Sequence, residues 1–329
     1  MQPMNSAASR HYCTYFDHRY LPRGLALYES ILRHDPGATL WVLSLSDECH
    51  LALERAALPR MRTVPLSILE ASDPALSAVR PTRSLVEYYF TLSPCWPLYL
   101  LRREPLIEVL TYLDADLCLF SDPTPAFREM TEASVAITPH RFPQRLAHLE
   151  QFGRFNVGWL TYHRCAEAIT CLQWWREQCL DWCLDTLDGG RFADQKYLDS
   201  FQSLFAHVQV ISHPGVNLAP WNLGTHRVES RGDSLVIDGY APLIAYHFQG
   251  VRRIADGTYD CNLDDYGIPM SPILRDQLYL PYLRFIDTRS DQFPDASGIR
   301  VATATTGRER ISGLIQRNRA RWKGSILHV

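Results

Sequence analysis

Between Val109 and Phe120 the chain reads Val-Leu-Thr-Tyr-Leu-Asp-Ala-Asp-Leu-Cys-Leu-Phe, so Asp114 and Asp116 stand one residue apart in an otherwise apolar run. Two carboxylates in such surroundings are costly unless something compensates their charge. Read as a strand, the run puts both side chains on one side, where they can face one cation. Hard carboxylate oxygens suit magnesium or manganese. The pattern is short and common, and a strand ending in a turn, with Asp116 solvated beyond it, would also produce it. The segments that accompany it weigh toward the cation.

Four segments keep it company: Phe16-Asp17-His18-Arg19-Tyr20, Phe155-Asn156-Val157-Gly158, Ala193-Asp194-Gln195 and His247-Phe248-Gln249-Gly250. Each alone has a structural explanation. Asp17 can cap the helix that follows it, and Gly158 can mark a close backbone approach. Asp194 suits a helix N-terminus. His247, within Ile-Ala-Tyr-His-Phe, reads by itself as a hydrogen-bonded core histidine.

The elements that would position these residues alternate between strand and helix patterns over the first half of the chain, which argues for an α/β layer with a largely parallel sheet. Strands are expected over His11–Asp17, Thr39–Ser46, Met61–Leu66, Ser134–Thr138, Phe155–Tyr162, Val208–Ser212 and Leu243–Phe248, with a hairpin turning at Gly232-Asp233. Helices are expected over Pro22–Arg33, Leu51–Leu58, Pro123–Met130, Ala166–Cys183 and Phe192–Phe205. Ser84–Leu101, interrupted by Pro94 and Pro97, reads as two short helices beneath the carboxylate-bearing strand. A polar loop is expected from Phe142 to Gly153. Periodicity weakens beyond Ala255, placing one domain over residues 1–255 and a partly helical, basic extension over 256–329.

Composition bounds the class. The 329 residues are 46% hydrophobic and 21% charged, ordinary for a globular protein with a sizeable core. A formal charge of −3 implies no sequence-independent grip on nucleic acid. No segment approaches the ~20 apolar residues needed to span a bilayer, and the N-terminus lacks the apolar core of a signal peptide. Nine cysteines with no Cys-x-x-Cys pair point to buried thiols in a reducing, cytoplasmic setting.

Taken in order, the five motifs resemble glycosyltransferase family 8, retaining sugar-nucleotide transferases that include glycogenin and bacterial lipopolysaccharide galactosyltransferases. The resemblance covers roughly residues 11–254. It implies a GT-A fold: a Rossmann-like α/β domain with a mixed, mostly parallel central sheet and helices on both faces. It also implies a divalent metal, Mn²⁺ preferred and Mg²⁺ tolerated, held by Asp114, Asp116 and His247. Asp17, Tyr20, Asp114, Asn156, Gly158, Gly250 and Arg253 match donor-binding positions. Asp194 and Gln195 match the pair beside the donor sugar. Arg253 replaces a lysine of the family, Arg19 replaces an asparagine, and no arginine occurs within Glu87–Thr91, where Arg83 one turn upstream is the substitute. His140 is assigned to the acceptor side.

The chemistry fits those residue types. Departure of a diphosphate from an anomeric carbon requires charge stabilisation at the phosphate oxygens, which a metal and a cation such as Arg253 supply. Gln195 is a poor nucleophile and can orient the donor by its dipole, consistent with retention. Inversion would require a base such as His140 or Glu87. The expected partners are a nucleotide-diphosphate sugar and a saccharide or lipid-linked acceptor of a bacterial surface glycan. Two other readings stand: a catalytically silent sugar-nucleotide or glycan-binding protein on the same fold, and a haloacid-dehalogenase-like phosphotransferase. The latter conflicts with the pair's position at 114 and its apolar continuation. Finally, Arg308–Lys323 holds six basic residues and one acidic one, with Ile311, Leu314, Ile315 and Trp322 on one helical face. Residues 306–329 are therefore read either as a docked final helix or as a peripheral contact with an anionic membrane at its cytoplasmic face.

Overall fold

The computed structural model describes residues 10–130, 132–292 and 324–329. Its strands are β1 His11–Phe16, β2 Thr39–Ser44, β3 Met61–Pro65, β4 Val109–Leu113, β5 Leu117–Leu119, β6 Val135–Pro139, β7 Phe155–His163, β8 Val208–Val210, β9 Val228–Arg231, β10 Ser234–Ile237, β11 Ala241–Pro242, β12 Ala245–His247, β13 Arg252–Ala255, β14 Thr258–Asp260 and β15 Ile326–His328. The helices are α1 Leu21–His34, α2 Asp47–Ala56, α3 Leu66–Ser72, α4 Pro74–Val79, α5 Leu85–Arg103, α6 Thr124–Arg128, α7 Ala166–Asp181, α8 Phe201–Leu204 and α9 Leu280–Gln292.

The central sheet has seven strands in the order β3-β2-β1-β4-β7-β6-β8. Only β7 runs against the others, so the sheet is mixed and mostly parallel, as expected. Alternation along β1 explains the two-sided core: Tyr12 and Phe16 pack with α1 and α2, while Cys13 packs on the opposite face with α5 and α7. A third apolar cluster joins Tyr246 and Phe248 to Leu278, Tyr279, Tyr282 and Leu283 around α9. None of the described helices is long and apolar enough to cross a membrane.

Three local expectations are corrected. Ser84–Leu101 is not two helices: α5 runs unbroken from Leu85 to Arg103 through Pro94 and Pro97. Each interior proline costs ~3 kcal/mol. Fully burying an apolar side chain returns about 1.5–3 kcal/mol, and Leu92, Trp96, Leu98, Leu100 and Leu101 are all buried here. A reciprocal Ser84–Glu87 capping box starts the helix. Phe192–Phe205 is not one helix either. Ala193 adopts a left-handed φ of 46°, and only the 3-10 turn Gln195–Ser200 and short α8 follow. Residues 142–153 are not all loop, because Gln144–Phe152 coils as a 3-10 helix.

A fourth correction bears on chemistry. The run 109–120 is two strands, β4 and β5, with Asp114–Asp116 in the turn between them. β5 leaves the central sheet and pairs antiparallel with β12, His247 opposite Leu117. The hairpin expected at Gly232-Asp233 forms as β9–β10, with Gly232 at φ 60°. The antiparallel pair β13–β14 straddles the boundary drawn at residue 255, and β15 joins it. Of residues 306–329, read as a docked helix or a membrane contact, 306–323 lie outside the described residues, the basic stretch Arg308–Lys323 among them, while Ile326–His328 forms β15.

Candidate functional site

The turn after β4 is held from two sides. Asp114 N–H donates to the Gly158 carbonyl (3.2 Å), and the Asp116 carbonyl accepts from Phe248 N–H (2.9 Å). These bonds bring the carboxylates to β12. His247 Nε2 lies 3.0 Å from Asp116 Oδ1 and 3.6 Å from Asp114 Oδ2. One ligand atom from each of the three residues fits within a mutual distance of 4.8 Å. Among the described residues this is the one cluster of at least three His, Cys, Asp or Glu side chains with that geometry. The metal-ligating trio expected from the motifs therefore converges, through a turn and a strand ladder rather than along one strand.

The imidazole is buried and tightly framed. Trp221 stands edge-on to it, with ring centroids 5.1 Å apart. Its Nδ1 lies 3.1 Å from Asn217 Oδ1. A Cβ on Gly158 would come within 2.9 Å of the His247 ring and 2.6 Å of Asn156 Oδ1. Gly158 is thus the space that lets the histidine approach. It sits where the β6–β7 register jumps, Ile137 pairing Leu160 while Thr138 pairs Asn156, a bulge that re-aims the strand beside the site. Tyr112, at the end of β4, donates its hydroxyl to Asp114 Oδ1 (2.9 Å). Burial and then the Asp114 charge raise that phenol's pKa well above its ordinary value.

Asn156 and Gln195 join the same cluster. Asn156 Oδ1 accepts from Gly158 N–H (2.9 Å) and Asn217 Nδ2 (2.9 Å). Its Nδ2 donates to Gln195 Oε1 (3.2 Å) and lies 3.3 Å from His140 Nε2. His140 is buried, stacked on Phe142 and edge-on to Trp221. Asp194 is buried, and its carbonyl accepts from Trp175 Nε1 (2.9 Å). The hydroxyl of Tyr15 senses both sides of the site: burial first, then the charges of Asp194 and Asp114, raise its pKa.

The remaining motif residues lie along the first helix and the segment after β12. Asp17 caps the turn His18–Tyr20 through the N–H groups of Arg19 and Tyr20. Its Oδ2 takes both Arg19 Nε (2.9 Å) and Nη2 (2.6 Å), so Arg19 neutralises the carboxylate expected at the base. Tyr20 is 44% exposed, with the Arg23 guanidinium 4.5 Å over its ring. Gly250 has a φ of 76°, and a Cβ there would collide with the Asn262 side chain, so the position admits glycine alone without strain. Arg253 Nη2 lies 3.4 Å from Asp287 Oδ1, on the pair β13–β14. Arg83 bonds the Cys179 and Leu180 carbonyls at the end of α7.

Sequence reasoning missed Asn217, Trp221, Tyr112 and Arg23. Arg23 reaches the Val251 carbonyl (2.9 Å). Burial opposes its charge, but Tyr20, Tyr282, Asp116 and Tyr259 around it raise its pKa overall. Asn217 had a readable signal: one polar residue between Val216 and Leu218 in an apolar stretch, buried and at a left-handed φ of 55°.

The donor set fits a divalent cation. Carboxylates and imidazole both ligate divalent metals, and the Asn217 contact to Nδ1 turns the Nε2 edge toward the carboxylates.

No family model matches the chain. Among solved structures it is similar to the galactosyltransferase LgtC in complex with donor and acceptor sugar analogs, at 15% identity and a TM-score of 0.49, over 89% of this chain and 97% of that one. It is also similar to the glycosyltransferase GlyE of Streptococcus pneumoniae TIGR4, at 14% identity and a TM-score of 0.48, over 87% of this chain and 64% of that one. Among curated proteins it is 28% identical over 292 residues to the uncharacterized protein YfnD of Bacillus subtilis, covering 87% of this chain and 92% of that one. To the uncharacterized protein YfnF of the same organism it is 31% identical over 251 residues, 74% of this chain and 82% of that protein, and the chain belongs to the YfnF family.

Proposed function

We propose that the chain is a metal-dependent, retaining glycosyltransferase of GT-A type that moves a hexose from a nucleotide-diphosphate sugar to a saccharide or lipid-linked acceptor of a bacterial surface glycan. The observation that carries this reading is the convergence of Asp114, Asp116 and His247 from a turn and a separate strand, His247 Nε2 standing 3.0 Å and 3.6 Å from the two carboxylates. Manganese is the favoured cation, magnesium the substitute. When bound, it would act as a Lewis acid on the departing diphosphate.

The chain's own groups supply the rest. Asp114, Asp116 and His247 would hold the cation, and Tyr112 fixes the Asp114 carboxylate. Gly250, at its positive φ, lets the backbone approach the diphosphate. Arg23, whose pKa the Asp116 charge helps to raise, would take the diphosphate-binding role expected of Arg253, whose guanidinium is engaged with Asp287. Asp17, Tyr20 and Arg19 form the nucleoside end. Asn156, Asp194 and Gln195 border the sugar, with Gln195 orienting the anomeric centre by its amide dipole while the acceptor enters on the face the diphosphate leaves. Nine cysteines without a disulfide among them support a cytoplasmic setting.

The test is a melting-temperature screen of nucleotide sugars with and without Mn²⁺, since a ligand bound only by the folded state raises stability. One donor should stabilise the protein only with metal present. Stabilisation by none would contradict the reading.

A further inference from the structure

Resting on that metal reading, we infer that Asn217 is a positioning residue: it fixes His247 in the Nδ1–H form, freeing Nε2 for the cation, and links that ligand to Gln195 through Asn156. The inference follows from counting donors and acceptors along one buried line. Two backbone groups, whose identities are unambiguous, anchor it. Gly158 N–H can only donate, and it points at one atom of the Asn156 amide (2.9 Å), which must be the oxygen. The Phe152 carbonyl can only accept, and it faces one atom of the Gln195 amide (3.2 Å), which must be the nitrogen.

Everything between is then determined. With its oxygen toward Gly158, Asn156 presents its NH₂ to Gln195 Oε1 (3.2 Å). The Asn217 atom 2.9 Å from Asn156 Oδ1 must be a donor, so it is Nδ2. The other end of Asn217, 3.1 Å from His247 Nδ1, is consequently the oxygen. An amide oxygen only accepts, so Nδ1 carries the hydrogen. The line runs in one direction from the histidine to the Phe152 carbonyl: His247, Asn217, Asn156, Gln195. Asn217, Asn156 and His247 are each at most 2% exposed, so water does not compete for these contacts. Reversing either asparagine amide would set two oxygens or two N–H groups together in a buried setting, a costly arrangement. The same line ties the orientation of Gln195 to the residue that holds the metal.

The experiment uses the full chain with Mn²⁺ and whichever of uridine, cytidine, adenosine, guanosine or thymidine diphosphate most raises its melting temperature. Manganese affinity is measured by electron paramagnetic resonance, and histidine coordination by electron spin-echo modulation from the imidazole nitrogen. Asn217→Ala should weaken manganese binding about 10- to 100-fold and diminish the nitrogen modulation. Asn217→Asp still offers an acceptor to Nδ1–H and should keep the nitrogen modulation, while loss of the amide donor to Asn156 Oδ1 should lower its melting temperature. Wild-type affinity and modulation in Asn217→Ala, or equal loss of the modulation in Asn217→Asp, would overturn the assignment. Should Asn217→Ala not fold, ¹⁵N NMR of the Mg²⁺-loaded wild type decides: a proton on Nδ1 of His247 with none on Nε2 supports the relay, and the reverse refutes it. Wild-type protein that binds no manganese with any of the five diphosphates would instead bring down the metal reading itself.

Discussion

His247 Nε2 stands 3.0 Å from Asp116 Oδ1, and the backbone sets that distance. β12 pairs with β5 so that His247 lies opposite Leu117, the residue after Asp116, and Phe248 N–H bonds the Asp116 carbonyl. A three-residue ladder thus delivers the imidazole to the turn, with its ring pinned from behind by Trp221 and Asn217. The histidine reaches the carboxylates only because Gly158 leaves room for it.

That room can be filled. Gly158→Ala places a methyl within 2.9 Å of the His247 ring and 2.6 Å of Asn156 Oδ1, both buried. Overpacking of this kind costs about 1–3 kcal/mol. The variant should melt several degrees lower and bind manganese at least tenfold more weakly. Gly37→Ala, where a Cβ meets nothing within 4 Å, is the matched control and should change neither. Differential scanning calorimetry with a manganese titration checks both effects, and an unaltered Gly158→Ala would remove this steric account.

The anomeric configuration of the sugar should be retained. Two groups that could serve as an inverting base, Glu87 and His140, are otherwise employed. Glu87 caps α5: burial would raise its pKa, but the N–H groups of Ser84 and Asp185 hold it below the ordinary glutamate value. His140 is enclosed by Phe142, Trp221 and Asn156. Proton NMR of the first-formed product reports the anomeric coupling directly. An inverted product would overturn the role given to Gln195 while leaving the metal trio standing.

Acid stability should depend on Glu167, which joins α7 to the segment before β8. Hydrogen bonds from Ser134 and His207 and from the N–H groups of Ala206 and His207 lower its pKa from 4.5 to about 2. The folded protein therefore binds this proton more weakly than the unfolded chain. The stabilisation is complete above the unfolded value near 4.5 and is lost as pH falls toward about 2. Melting curves of wild type and Glu167→Gln should differ most above pH ~5 and converge near pH ~2. A difference that widens on acidification would contradict the sign.

Much of this was legible in the chain, for identifiable reasons. β1, β2 and α1 are marked by apolar runs whose period matches their burial, and the motif residues were recognisable by their types and their order along the chain. The turn at Asp114–Asp116 was not, because Leu117–Leu119 continues the apolar pattern of β4 while pairing with a different strand. The unbroken α5 was hidden by its prolines, whose local penalty is outweighed by burial seen only in three dimensions. Asn217 and Arg23 carry no motif. Their importance comes from what the fold sets against them, the Nδ1 edge of His247 and the charge of Asp116.

The central claim is that Asp114, Asp116 and His247 hold a cation needed for donor binding. Calorimetric titration of the stabilising nucleoside diphosphate, with and without Mn²⁺, into wild type and Asp116→Asn tests it most directly. Binding in wild type should tighten at least tenfold with manganese, and Asp116→Asn should lose that gain while its metal-free affinity stays unchanged. Equal manganese enhancement in both proteins would contradict the account.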